Sequence, residues 1–197
     1  QEYLRRAMMA GAKDYLTKPF TGDELIQAIQ QSVSRDRQIR DAMRLKSGVK
    51  QPGKVISIFA GKGGVGKTML TVNLAVALSK RPDTRVAIVD ADIQFGDVPL
   101  FLNLMPRSTI ADVLPDAEHL DDKTLAAYMT NFNDKLHVLA APLRPEQAET
   151  VSGYLLGAVL KQLRGAYDFI LVDTAAAFNE VSIAALDAAD QVLVLTA

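Results

Sequence analysis

The sequence predicts an α/β protein: a mostly parallel sheet with helices on both faces, incomplete at its C-terminus and preceded by a fragment of a second module. Three observations predict this. From residue 55 onward, short and nearly continuous apolar runs alternate with segments of helical period, the pattern of strands buried on both faces. A glycine-rich loop, Gly61-Lys62-Gly63-Gly64-Val65-Gly66-Lys67-Thr68, separates the first run from the first helical segment. Asp90 and Asp173 directly follow two of the runs, at the strand ends where binding sites of such sheets open.

The N-terminal part is short. Residues 2–10 read as a helix stopped by Gly11, a favourable residue just past a helix end. Residues 14–16 read as a short strand, closed by Lys18-Pro19-Phe20. Thr21-Gly22-Asp23-Glu24 has the pattern of a capping box, in which the Thr21 hydroxyl accepts from the Glu24 N–H and the Glu24 carboxylate reaches back. Leu25, Ile26, Ile29 and Val33 then recur at helical spacing, and this helix runs on through Arg44. Residues 47–53 hold two glycines and a proline and read as a linker.

The main part follows as strand 55–60, helix 68–80 stopped by Arg81-Pro82-Asp83, and strand 85–89. Ser108 or Thr109 caps a short helix to Leu114, and residues 125–130 read as helical. Strand 136–141 leads to Pro145, well placed in a first helical turn, and one helix runs from there to Arg164. Strand 169–172, helix 181–188 and strand 191–195 complete the order. The division is therefore a fragment at 1–46, a linker at 47–54 and the main domain at 55–197. A chain that stops directly after a core strand leaves an edge open, so a C-terminal cut is expected. One helix and one strand cannot form a core, so an N-terminal cut is expected as well.

Composition narrows the function classes. At 197 residues the chain is about 1.3 domains long. It has no cysteine, which excludes disulfide scaffolds, thiolate zinc sites, iron–sulfur clusters and cysteine nucleophiles within this chain. With two histidines, His119 and His137, a histidine-rich metal site is not expected, and both read as structural. No apolar run approaches the ~20 residues of a membrane span and no signal peptide opens the chain, so a cytoplasmic location is the default. The net charge of −1 conceals a split. Residues 1–54 carry 11 Lys+Arg against 6 Asp+Glu, net +5, and residues 55–197 carry 11 against 17, net −6. The positive excess sits in residues 35–54, with seven basic and two acidic side chains. That suggests two modules joined by a basic connector.

The glycine-rich loop fits G-x-x-x-x-G-K-[ST] in full. Glycines let the backbone curl so that consecutive N–H groups point at phosphate oxygens. The Lys67 ammonium adds charge at the β/γ-phosphates, and the Thr68 hydroxyl is placed for Mg²⁺. The following helix aims its positive end at the anion. Asp90, Asp92 and Asp173 lie on the same rim, where an acid can hold a Mg²⁺-bound water or orient an attacking one. The alternative for each is a turn-capping role, strongest for Asp90 because its neighbour Asp92 can do the chemistry.

With these residues the loop resembles the deviant Walker A loop of the MinD/ParA ATPases, marked by the early second lysine, here Lys62. The resemblance implies that Lys62 reaches the phosphates of the partner's nucleotide in an ATP-sandwich homodimer. Asp90-Ala91-Asp92 resembles switch I, which makes Asp92 the residue that positions the hydrolytic water. Asp173 matches the Walker B acid, acting on Mg²⁺ through water, and Asn73 fits the first helix. The implied cofactors are ATP and Mg²⁺. Gly61, Lys62, Gly63, Gly64, Val65, Gly66, Lys67, Thr68 and Met69 would bind the nucleotide, with Lys62, Lys67 and Asp92 catalytic and Thr68, Asp90 and Asp173 at the metal. Hydrolysis is expected to be slow and dimer-dependent.

The segments Asp92-Ile93-Gln94-Phe95-Gly96-Asp97-Val98, Arg144-Pro145-Glu146-Gln147-Ala148-Glu149 and Asp173-Thr174 with Phe178-Asn179-Glu180 are similar to the CpaE/TadZ branch. That branch serves Flp/Tad pilus assembly and localises the machinery at the cell pole. Its members often carry a receiver-like domain, and Ala10-Gly11-Ala12-Lys13-Asp14-Tyr15-Leu16 with Lys18-Pro19-Phe20 resembles the tail of a response-regulator receiver. The fragment at 1–46 is therefore expected to be receiver-like, with Lys18 at the receiver's phosphate-contacting position. The resemblance implies an ATP-binding and hydrolysing dimerisation switch that localises or assembles the pilus machinery at the pole or the inner membrane face. Ala175 stands where the family usually has proline, and this motivates a low-turnover nucleotide-binding scaffold instead. A ParA-type DNA-partitioning role rests only on the basic stretch. The acidic main domain suits the DNA backbone poorly, so DNA is not an expected partner. A weak membrane-surface association of that stretch is the other reading.

Overall fold

The computed structural model describes residues 51–196. The expected receiver-like fragment, its capping box, Lys18 and residues 47–50 of the linker lie outside the described residues.

Six strands form one sheet: β1 (Lys54–Phe59), β2 (Val86–Ala91), β3 (Thr130–Asn131), β4 (Leu136–Leu139), β5 (Phe169–Thr174) and β6 (Gln191–Val194). They lie in the order β3-β4-β2-β5-β1-β6. Every pairing is parallel except β3 with β4. The expected fold class is therefore the observed one for the main domain. β5 sits between β1 and β2, aligning Ile58 with Asp173 on one side and Asp90 with Asp173 on the other. Three chain segments distant in sequence thus deliver the glycine-rich loop, Asp90 and Asp173 to one rim.

The strands are apolar on both faces because both faces are covered. Ile56, Ile58, Val86, Ile88 and Leu171 pack with Val72 and Ala75 of α1 (Lys67–Ser79). Val55, Ala87, Val89, Ile170 and Val172 pack on the other face. That face is covered by α5 (Gly153–Ala166), α6 (Glu180–Asp187) and a 3-10 helix at Ile110–His119. On α5, Leu155, Leu156, Val159, Leu160 and Leu163 recur at helical spacing and are all buried. Each such leucine contributes about 2 kcal/mol by leaving water.

Some elements differ from expectation. The single helix expected from Pro145 to Arg164 is two: α4 (Pro145–Ala148) and α5. Ser152 caps α5 by accepting from the Leu155 N–H at 3.2 Å. Gly153 donates its N–H to Glu180 at 2.8 Å, so the chain must turn there to meet α6. The helix expected at 125–130 is α3 (Asp122–Tyr128), begun by Asp121 accepting from the Thr124 N–H at 2.7 Å. The two-residue β3 follows it, too short to register as a period. The helix starting at Thr109 is 3-10 and runs on to His119, with Pro115 inside. A proline lacks the N–H that an α-helix needs there. The turn α2 (Val98–Phe101), begun next to Pro99, was not expected.

The N-terminal ends of the strands are tied together. Arg164 donates to the Gly53 carbonyl at 2.9 Å, the Ala188 carbonyl at 2.8 Å and Asp190 at 2.7 Å. Asp190 in turn accepts the Val55 N–H at 2.8 Å. Gly53 is pressed so closely on this end that a Cβ would fall 2.1 Å from the Tyr167 carbonyl oxygen.

Candidate functional site

The loop from Ala60 to Gly66 connects β1 to α1. Gly64 (φ 76°) and Gly66 (φ 92°) adopt left-handed backbone, which costs a residue with a Cβ but not glycine. Gly66 caps α1 without any side-chain hydrogen bond, and the first turn of α1 holds no acid. The first N–H groups of a helix have no partner inside it, so this end is prepared for an external anion.

A cleft of about 650 Å³ opens on this end. Gly63, Gly64, Gly66, Lys67, Thr68 and Met69 line it, as does Asp92. The structure thus brings seven of the expected site residues together. Gly61, Lys62 and Val65 lie on the same loop but outside the lining, and Lys62 is exposed. Lys67, by contrast, is only 8% exposed. The opposite wall was not assigned to the site by the sequence: Ala175, Ala176, Ala177 and Asn179 follow β5, and Ile93, Gln94 and Phe95 follow Asp92. Resemblance marked Ala175, Asn179 and the segment after Asp92 in the sequence, but Ala176 and Ala177 carry no chemistry to mark them. Asn179 also accepts the Ser182 N–H at 2.8 Å and so starts α6.

Asp173 is 1% exposed and accepts the Thr71 hydroxyl at 3.2 Å. The Thr68 hydroxyl lies close enough to favour its ionised form. Burial dominates its titration and pushes it up to about 6, against the opposing pull of Thr68, Thr71 and Lys67. Asp92 is half-buried, and its carboxylate accepts the Phe95 N–H at 3.3 Å. Asp90 is the third acid, expected at the metal. It is 0% exposed and absent from the cleft lining. One oxygen accepts the Asp92 N–H at 3.3 Å and the other the Val98 N–H at 3.1 Å. Burial first, then the negative charge of Asp173, holds its carboxyl well above the usual range.

Among the described residues no group of three His, Cys, Asp or Glu side chains is placed to hold a metal. Mg²⁺ seldom uses an all-protein cage and commonly binds through one or two carboxylates plus substrate phosphates. Thr68 beside Asp173 fits such a shared site. Asn73 is exposed and donates to the Met69 carbonyl at 2.8 Å within α1. His119 is exposed and His137 is half-buried in β4; neither lines the cleft. No helix among the described residues is long and apolar enough to cross a membrane.

Known proteins are similar to this chain in sequence and fold. The sequence model of a family described as "AAA domain" matches residues 53–197. The septum site-determining protein MinD of Thermotoga maritima is 33% identical over 146 residues, 73% of this chain and 52% of that protein. MinD of Pyrococcus horikoshii, solved in complex with Mg-ADP, superposes with a TM-score of 0.63 at 30% identity, over 73% of this chain and 58% of that one. A ParA family ATPase from Chlorobium tepidum superposes with a TM-score of 0.68 at 25% identity, over 72% of this chain and 59% of that one. The chain spans about half the length of such curated relatives. Together with the loop carrying Lys62 and Lys67, these matches show that the chain belongs to the AAA-domain family, as a P-loop ATPase domain of the MinD/ParA type.

Proposed function

We propose that this chain is an ATP-driven dimerisation switch of the CpaE/TadZ branch, which localises or assembles the Flp/Tad pilus machinery at the cell pole or inner membrane face. The observation that carries the switch is the pair of lysines on one loop: Lys67 buried in the cleft and Lys62 exposed beside it. An exposed lysine outside the lining is available to a nucleotide held by a second copy. The branch assignment rests on the segments 92–98 and 144–149 and on the receiver-like tail in residues 10–20.

ATP and Mg²⁺ are the cofactors of this reading. Bound Mg²⁺ supplies charge neutralisation at the β- and γ-phosphates. The N–H groups of Gly64 to Thr68 and the Lys67 ammonium bind the phosphates in place. Thr68 and Asp173 are the groups suited to hold the metal, directly and through water. Asp92 accepts a hydrogen bond from water and aims it at the γ-phosphorus. The new P–O bond forms there while the bond to the β–γ bridging oxygen breaks; ADP leaves with that electron pair, and the water's protons go to the released phosphate and to solvent. Loss of the γ-phosphate removes the partner lysine's anchor and releases the dimer.

Gel filtration of the protein with Mg-ATP tests the switch. Asp92→Ala should accumulate as a dimer that Lys62→Ala abolishes. A monomer at every concentration would overturn it. Ala175, which lines the cleft where the family usually has proline, favours a low-turnover scaffold as the second reading. Phosphate release well above a Lys67→Ala blank excludes that scaffold.

A further inference from the structure

We propose that Asp90 is the positioning residue for Asp92: a buried carboxylate that clamps both ends of the 92–97 loop, in place of a metal-binding role. Its consequence for turnover rests on the hydrolytic reading above.

The geometry is that of an anchor. One Asp90 oxygen holds the Asp92 N–H at the loop's entry and the other holds the Val98 N–H at its exit, at 3.3 and 3.1 Å. Six residues are strung between the two oxygens of one carboxylate. Within the loop, the Phe95 N–H donates to the Asp92 carboxylate at 3.3 Å and to the Asp92 carbonyl at 3.2 Å, closing a tight turn. Gly96 lies directly on the anchor. A Cβ there would fall 2.6 Å from the Asp90 carboxylate and 2.3 Å from the Ala141 Cβ. Val98, fully buried, pins the exit into the core under α1.

Both Asp90 oxygens are engaged by backbone N–H groups, and the fully buried side chain is not part of the cleft lining. The acid that faces the cleft is Asp92, and its place there follows from where the loop is tied. Asp173, in register with Asp90 on β5, has its own partner in Thr71. The two buried acids therefore have separate tasks: one holds the switch loop, and the other serves the phosphate loop.

Two variants and two readouts test the assignment. Asp90→Asn keeps the shape but replaces one acceptor with a donor facing a backbone N–H. Gly96→Ala keeps the carboxylate and pushes the loop off it. Hydrogen exchange at the Asp92 and Val98 amides should accelerate at least about tenfold in both, because their closing contact is lost. kcat for ATP should fall at least about tenfold, as expected when a reacting group is misplaced. KM for ATP should stay within about threefold, because the phosphate loop is untouched. Native exchange and native kcat in a folded Asp90→Asn overturn the assignment. So does recovery of kcat at high Mg²⁺, which marks a metal ligand. If Asp90→Asn does not fold, Gly96→Ala carries both readouts. If the wild-type protein shows no turnover, the hydrolytic reading fails, and the exchange rates alone decide the anchor.

Discussion

Replacing Asp173 by Asn should make the nucleotide-free protein more stable at neutral pH. The wild-type carboxyl rises from an ordinary 3.8 to about 6 on folding, with burial as the largest cause. A rise of about two pH decades, at about 1.4 kcal/mol each, corresponds to roughly 3 kcal/mol of penalty on the ionised form. The sign follows from proton binding. Below about pH 4 the carboxyl is protonated in both folded and unfolded chains, and no penalty exists. Between about pH 4 and 6 the folded state binds more protons than the unfolded one, so stability falls as pH rises. Above about 6 the penalty is complete. Asn has the same shape, can still accept from Thr71, and does not titrate. Melting of the two proteins with chelator and no nucleotide, from pH 4 to 8, should show the Asn variant higher by up to roughly 6–12 °C at pH 7.5. The curves should converge at pH 4. Mg²⁺ with ATP should then favour the wild type, since a ligand bound only to the folded state stabilises it by mass action. An Asn variant less stable at pH 7.5, or equally stabilised at pH 4 and pH 7.5, would refute the reasoning.

Three further substitutions probe the opposite end of the sheet. Gly53→Ala should destabilise by about 2 kcal/mol or more, because its Cβ would lie 2.1 Å from a backbone oxygen that cannot move without disturbing β5; a calorimetric melt equal to wild type would contradict the packing described. Arg164→Met should cost about 2 kcal/mol, read by denaturant unfolding, from the loss of two bonds to carbonyls. The exposed partner Asp190 should add little of this, so Asp190→Asn should be the milder variant.

Much of the main domain was legible in the chain itself. The apolar runs at 55–60 and 169–172 can satisfy their pattern only as strands covered on both faces, and the spacing of Leu155, Leu156, Val159, Leu160 and Leu163 only as a buried helix stripe. Gly61 to Thr68 was legible because its chemistry is local: the glycines, Lys67 and Thr68 act within one turn of backbone. The break between α4 and α5 was not, because Ser152 and Gly153 become a helix start only where Glu180 of a distant helix meets them. The 3-10 character of Ile110–His119 could have been suspected from Pro115, but its length depends on packing against α5.

The same division runs through the site. Sequence alone determined which residues could grip a phosphate and which aspartates ended strands, because residue type and neighbours settle those questions. It marked Asp90 as the acid with the strongest turn-capping alternative, but could not say what either Asp90 or Asp173 would hold, since both follow an apolar run. The tertiary structure separated them. The strand order set them side by side on β2 and β5, then gave Asp173 the Thr71 hydroxyl of α1 and Asp90 the backbone of the loop beyond it. A carboxylate takes its role from the donors that reach it, and those donors come from chain segments whose proximity only folding creates.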